Sequence, residues 1–230
     1  MQLTVLNPGK PEQDFPSVSK ALREPDGLLA IGGCLSQNRL LNAYRHGIFP
    51  WYNPGEPILW WSPDPRLVLF PDKLIISRSL SKTLRKNIFS VTFDQAFNDV
   101  IAACADPRKD AAGTWITTEI NSAYKQLHQA GFAHSVEAWS GDQLVGGLYG
   151  VALGQVFFGE SMFHTQTDAS KVAFVTLVER LKLWGYRLVD CQVHSRHLES
   201  LGAEEIGRDY FIKLLDQYVE LPCHPASWQV

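Results

Sequence analysis

What this chain lacks narrows what it can be. No stretch approaches the roughly 18 uninterrupted apolar residues of a membrane-crossing helix. Met1 to Pro16 has no basic start followed by an apolar core, so no secretory signal is expected. There is no excess of basic charge: the formal net charge is -3, so any nucleic-acid partner must be met by a local patch. The four cysteines (Cys34, Cys104, Cys191, Cys223) are far apart and form no CxxC pair, which fits reduced thiols in a cytoplasmic protein better than a disulfide framework. His194 and His197 are three apart, but neither an HExxH motif nor a cysteine cluster accompanies them, so no metal site is expected. The chain also has no Walker P-loop, GxGxxG or GxSxG element.

What remains is ordinary soluble material, 230 residues that are 45% hydrophobic and 20% charged, enough for one large domain or two modest ones. Pro8 to Pro25 is polar and proline-punctuated, which predicts irregular chain. Ser36 reads as the N-cap of a short helix carrying Leu40, Leu41 and Tyr44, stopped by Gly47. The two prolines in Trp60-Trp61-Ser62-Pro63-Asp64-Pro65-Arg66 make a stiff turn, so a boundary is expected near residue 65. That division leaves a small N-terminal domain, 1–65, and a larger one, 66–230.

The larger part alternates strands and helices. Leu67 to Phe70 and Ile75 to Ser77 read as extended, and Ser79 to Lys86 as helical. Helical faces follow at Phe97, Val100, Ile101, Cys104 and at Ile120, Ala123, Tyr124, Leu127. His134–Trp139, Gln143–Val151 and Val156–Phe158 predict an antiparallel meander, with breaks at Ser140-Gly141-Asp142 and Leu153-Gly154. Asp168 then heads a mostly apolar helix to Trp184, and a strand follows at once. The fold class is therefore α+β: a small N-terminal domain followed by a mixed α/β domain whose element order is that of the acetyltransferase-like (GNAT-like) fold.

Four constellations can carry chemistry, and each has a plainer reading. In Arg187-Leu188-Val189-Asp190-Cys191-Gln192-Val193, which reads as a strand that looks buried, Asp190 and Gln192 fall on the same face. A buried carboxylate needs a partner or a task. Either Asp190 is structural and pairs with an arginine or caps a loop, or it orients the carboxamide of Gln192 to hold an amine. Glu160, expected just after the third meander strand, is either a solvated turn residue or part of a pocket rim. Arg78, Lys82, Arg85 and Lys86 share one helix face, which is either solvated or a contact for phosphates. Trp51, Trp60, Trp61 and Trp115 are either core or stacking platforms for bases. Before the long helix stands Gln166-Thr167-Asp168-Ala169-Ser170-Lys171, with a carboxylate where a CoA-binding helix presents bare amides, which argues against a CoA donor.

The motifs Arg23-Glu24-Pro25-Asp26-Gly27-Leu28-Leu29, Gly47-Ile48-Phe49-Pro50-Trp51, Trp60 to Arg66, Gly113-Thr114-Trp115-Ile116-Thr117, Gly159-Glu160-Ser161-Met162-Phe163 and Asp190-Cys191-Gln192-Val193 occur together and in order. In this combination the chain resembles the bacterial leucyl/phenylalanyl-tRNA–protein transferases. The resemblance implies transfer of Leu or Phe from its charged tRNA to a protein with N-terminal Arg or Lys, a tag for degradation by the N-degron route, with no cofactor and no metal. It implies that Asp190 orients Gln192, that Gln192 assists removal of a proton from the attacking amine, and that Glu160 holds the aminoacyl ester. It places the Leu or Phe side chain against Leu148, Phe157, Met162, Leu177 and Leu181. Trp51 and Trp115 would flank the terminal adenosine, and Arg78, Lys82, Arg85 and Lys86 would touch the acceptor stem. Two other classes stand beside it: a CoA-dependent small-molecule N-acyltransferase, and a non-catalytic RNA- or peptide-binding module.

Overall fold

The computed structural model describes residues 3–106, 115–223 and 228, so Gly113 and Thr114 of the fourth motif lie outside the described residues. In chain order the main elements are β1 (Thr4–Leu6), β2 (Leu28–Gly32), α1 (Gln37–Arg45), β3 (Phe49–Pro50), β4 (Leu59–Trp61), β5 (Arg66–Leu69), α2 (Arg78–Lys86), β6 (Ser90–Phe93), α3 (Phe97–Ala105) and α4 (Thr118–Gln129). They continue as β7 (Ala133–Ser140), β8 (Gln143–Leu153), β9 (Val156–His164), α5 (Ala169–Leu183), β10 (Leu188–Gln192), α6 (Arg196–Glu199), β11 (Glu204–Ile206) and α7 (Arg208–Tyr218).

The strands form two sheets, ordered β1-β2-β4-β3 and β11-β5-β10-β9-β8-β7-β6. The larger sheet is antiparallel except where β10 runs parallel to β9. A parallel neighbour needs a crossover, and α5 provides it. Side chains alternate across the large sheet. Leu67, Leu69, Phe157 and Val189 join a core with α5, whereas Val68 and Phe158 face a second core built with α1, α3, α4, α7 and the small sheet. The break between the sheets at Trp61–Arg66 therefore interrupts hydrogen bonding but not packing.

Two of the expected elements take a different form, and β6, α6, β11 and α7 are not among those expected. Ile75 to Ser77 joins neither sheet; Pro71–Lys73 makes a 3-10 turn, Ile75 N–H donates to Leu201 O at 2.9 Å, and Ser77 Oγ caps α2 by accepting from Leu80 N–H at 3.2 Å. The third meander strand does not stop at Phe158 but runs on to His164. Glu160 consequently sits inside a strand, not at its end.

Gly47 closes α1 in a conformation that favours glycine. Its φ is +71°, and a Cβ there would lie 2.9 Å from both Phe211 and Ile212 of α7. The tight turn leaves the Gly47 carbonyl pointing inward, toward β5.

Candidate active site

Asp190 is fully buried on β10, and so is Arg66 at the start of β5. Arg66 Nε donates to Asp190 Oδ1 at 2.8 Å and Nη2 to Oδ2 at 2.6 Å, a fork-to-carboxylate pair. The third arm of the guanidinium, Nη1, donates to Gly47 O at 3.1 Å, and the Phe49 and Phe211 rings lie 4.9 and 4.6 Å from its centre. The charge on Asp190 is thus balanced within the fold, which is the arginine partner that the plainer reading required.

Beyond Asp190 the strand breaks its register. Asp190 pairs with Val68 and Gln192 with Leu67, so Cys191 is the extra residue of a bulge. Gln192 takes φ +64°, a left-handed conformation that costs a non-glycine residue about 1–3 kcal/mol and persists where its surroundings hold it. Its backbone N–H donates to Asp190 Oδ1 at 3.0 Å, a local side-chain-to-backbone bond that secures this conformation. Asp190 therefore holds Gln192 through the backbone, not through the carboxamide.

A second bulge lies on the neighbouring strand. Tyr149 pairs with Ser161 and Gly150 with Gly159, which makes Glu160 the extra residue. Pairing of β9 with β10 ends at Phe158–Asp190, and the two bulged residues, Glu160 and Gln192, meet just past that point. Gln192 Nε2 donates to Glu160 Oε1 at 3.0 Å. Tyr44 of α1 donates to the same oxygen at 2.8 Å, and Tyr124 of α4 donates to Oε2 at 2.8 Å. The two phenol oxygens are also hydrogen-bonded to each other.

Burial pushes the Glu160 carboxyl up to about 7; the hydrogen bonds from Tyr124, Tyr44 and Gln192 pull it down, and the charge on Asp190 pushes it up. Tyr44, Tyr124 and Tyr149 are all held well above the usual phenol range, first by burial and then by the Glu160 charge. Glu160 is thus no solvated turn residue. With its NH2 committed to Glu160, Gln192 presents its carbonyl oxygen, which has no partner among the described residues. It can accept a hydrogen bond from an amine.

The remaining expected residues are spread over several elements. Trp51 is 42% exposed beside Trp61, whose indole N–H donates to the Trp51 carbonyl at 2.6 Å. Trp115 is half-buried, and the two segments come together where Tyr52 and Thr117 hydroxyls lie 3.4 Å apart. Leu148, Phe157, Leu177 and Leu181 are buried in the core shared with α5, with Met162 partly exposed against it. They lie across the sheet from the Tyr44–Tyr124 side. Arg78, Lys82, Arg85 and Lys86 are all exposed on α2, and none has an ion-pair partner among the described residues. Asp168 heads α5 in a left-handed conformation, accepting from Thr83 at 3.1 Å and pairing with Lys171 at 3.5 Å.

Sequence reasoning missed three members of the site: Arg66, Tyr44 and Tyr124. Both tyrosines lie on apolar helix stripes and read as core. The available signal was that a buried phenol still needs a hydrogen-bond partner.

Residues 68–216 match the family model described as leucyl/phenylalanyl-tRNA protein transferase, and residues 33–64 match that of the same protein's N-terminal domain. A leucyl/phenylalanyl-tRNA–protein transferase of Methylococcus capsulatus is 58% identical over 227 residues, covering 99% of this chain and 97% of the relative. One from Chromohalobacter salexigens is 62% identical over 214 residues, covering 93% and 84%. Among solved structures, a GCN5-related N-acetyltransferase from Kribbella flavida aligns with a TM-score of 0.41 at 12% identity, covering 71% of this chain and 58% of that one.

Proposed function

The chain belongs to the leucyl/phenylalanyl-tRNA–protein transferase family, and on that premise we propose that the Glu160–Gln192 notch is where the acceptor amine meets the aminoacyl ester. The enzyme transfers Leu or Phe from aminoacyl-tRNA to the N-terminus of a protein. An acceptor beginning with Arg or Lys, a cytoplasmic setting and tagging for degradation complete the reading. Residues 1–65 form the small unit that supplies Tyr44 and Trp51, and 66–230 the unit that carries the notch.

One observation carries the assignment: the Gln192 carboxamide is turned by Glu160 so that its carbonyl oxygen is free to accept from an amine N–H. An amide oxygen is too weak a base to keep a proton, so Gln192 aims the amine and does not ionise it. The amine nitrogen attacks the ester carbonyl carbon, the bond from that carbon to the ribose 3′-oxygen breaks, and one amine proton ends on the departing oxygen, relayed by the adjacent ribose hydroxyl. An aminoacyl ester is already activated, so holding the two substrates in line supplies on the order of 7–11 kcal/mol of the barrier reduction.

The other groups have separate tasks. Asp190, clamped by Arg66, sets the Gln192 backbone. Trp51 and Trp115 bracket the terminal adenosine, and Arg78, Lys82, Arg85 and Lys86 contact acceptor-stem phosphates. The Leu or Phe side chain would meet the core of Leu148, Phe157, Leu177 and Leu181 through Met162, the one of the five expected contacts that is not buried; such an apolar site separates neighbours such as Leu and Val by only about 1–3 kcal/mol. A CoA donor is disfavoured because the Asp168 carboxylate stands at the head of α5.

The test is transfer of labelled Phe from Phe-tRNA to a peptide beginning with Arg, beside one beginning with Ala. Label should appear on the Arg peptide alone. Gln192→Ala should lower kcat on the order of 10²-fold while leaving tRNA affinity unchanged. Equal labelling of both peptides, or full turnover by Gln192→Ala, would overturn the assignment.

A further inference from the structure

Three acidic groups meet behind Gln192, and counting their hydrogens decides their state. Tyr44 Oη lies 2.8 Å from Glu160 Oε1, Tyr124 Oη lies 2.8 Å from Oε2, and the two phenol oxygens touch each other. These are three oxygen–oxygen contacts in a closed ring, and each needs one hydrogen. A phenol carries one hydrogen, so the tyrosines supply two. With Glu160 ionised, both point at the carboxylate and the phenol oxygens face each other lone pair to lone pair. With Glu160 protonated, the third is present. Oε2–H then donates to Tyr124, Tyr124 to Tyr44, and Tyr44 to Oε1, while Oε1 still accepts from Gln192.

We propose that Tyr44, Tyr124 and Glu160 form a three-hydrogen ring that closes when Glu160 is protonated, with the two tyrosines as positioning residues acting through it. The surroundings agree. Tyr44 comes from α1, Tyr124 from α4 and Tyr149 from β8, with Cys104 of α3 behind Tyr149; each phenol is held in its protonated form. Asp190 of β10 adds a negative charge, and Arg66 of β5 is already committed to Asp190. No cation is left over among these groups to favour an ionised Glu160. The functional consequence rests on the reading of the notch as the amine site. A neutral Glu160 does not stabilise an incoming ammonium, so the site favours the uncharged amine, which is the nucleophile.

The experiment is a carbon-13 titration of the Glu160 carboxyl in free protein, its signal identified by loss in Glu160→Gln. The wild-type midpoint should lie near the elevated value of about 7. Tyr44→Phe and Tyr124→Phe each open the ring and relieve the two facing oxygens, so each should lower the midpoint by about one unit or more. Taken singly, the bonds from Tyr124 and Tyr44 pull the carboxyl down, so two independent donors would behave oppositely to the ring, their removal raising the midpoint. A rise, or no change, overturns the ring. If neither variant folds, the wild type decides alone: a carboxyl already ionised about one unit below neutral pH overturns it. In the transfer assay, the limb of the kcat/KM pH profile that belongs to Glu160 should move with the midpoint, and a limb that stays in place removes the tyrosines' positioning role. Because the titration uses neither tRNA nor acceptor, failed transfer with the expected titration would sink the proposed function and leave the ring standing.

Discussion

Arg66 of β5 ties β10 to the end of α1. One guanidinium holds Asp190, and through it the Gln192 backbone, and also holds Gly47 O, which closes the helix that carries Tyr44. Its removal leaves a buried carboxylate unpaired, so Arg66→Met should cost about 3–5 kcal/mol in urea unfolding. Arg66→Lys should recover little of this, because an ammonium cannot make the forked pair. A loss under about 1 kcal/mol would mean the pair is not structurally committed. Glu160 predicts a pH dependence of stability. Its folded value, about 7, lies above the ordinary 4.5, so the folded chain binds the proton more tightly. The contribution is complete below pH 4.5 and is lost as pH rises through 7. Across that window stability should fall by at most about 3 kcal/mol, and Glu160→Gln should remove that part of the slope.

Among elements, α2 is the clearest case of sequence period becoming surface. Ser77 caps it, Leu80 anchors it, and the four cations stay in solvent. Reversing charge at Lys82 and Arg85 should weaken tRNA binding and reduce the slope of log K against log salt by about 1.5–2. An unchanged slope would take α2 out of the RNA contact. The irregular stretch from Pro8 to Pro25 is secured by another buried cation: Arg39 of α1 donates to Lys10 O at 2.7 Å and to Gln13 O, and packs on the Phe15 ring. The β9 and β10 bulges were not legible beforehand. A bulge is a mismatch between two strands, and neither strand alone contains the register that creates it.

At the scale of the whole molecule, the small sheet and the large one share a core. Tyr44, Phe49 and Trp60 pack in one cluster with Tyr124, Phe158 and Phe211. A fragment of residues 66–230 would lose Tyr44, the Gly47 carbonyl and one wall of that core. It should show no cooperative thermal transition, whereas a sharp melt close to that of the full chain would establish residue 65 as the edge of an independent domain. Among the described residues no helix is long and apolar enough to cross a membrane.

The order of helices and strands, the apolar stripes and the basic face of α2 follow from the sequence itself, because hydrophobic period and capping act over a few residues. So does the presence of Asp190 and Gln192 on a buried strand. Which carboxylate holds which group was decided only in three dimensions. Arg66 finds Asp190 across 124 residues, and Tyr44 finds Glu160 across 116. Strand register and the two bulges bring these pairs together. Sequence spacing brings Asp190 close to Gln192, but tertiary structure gives the Gln192 carboxamide to Glu160, since the Arg66 fork and the Gln192 backbone N–H occupy the Asp190 oxygens.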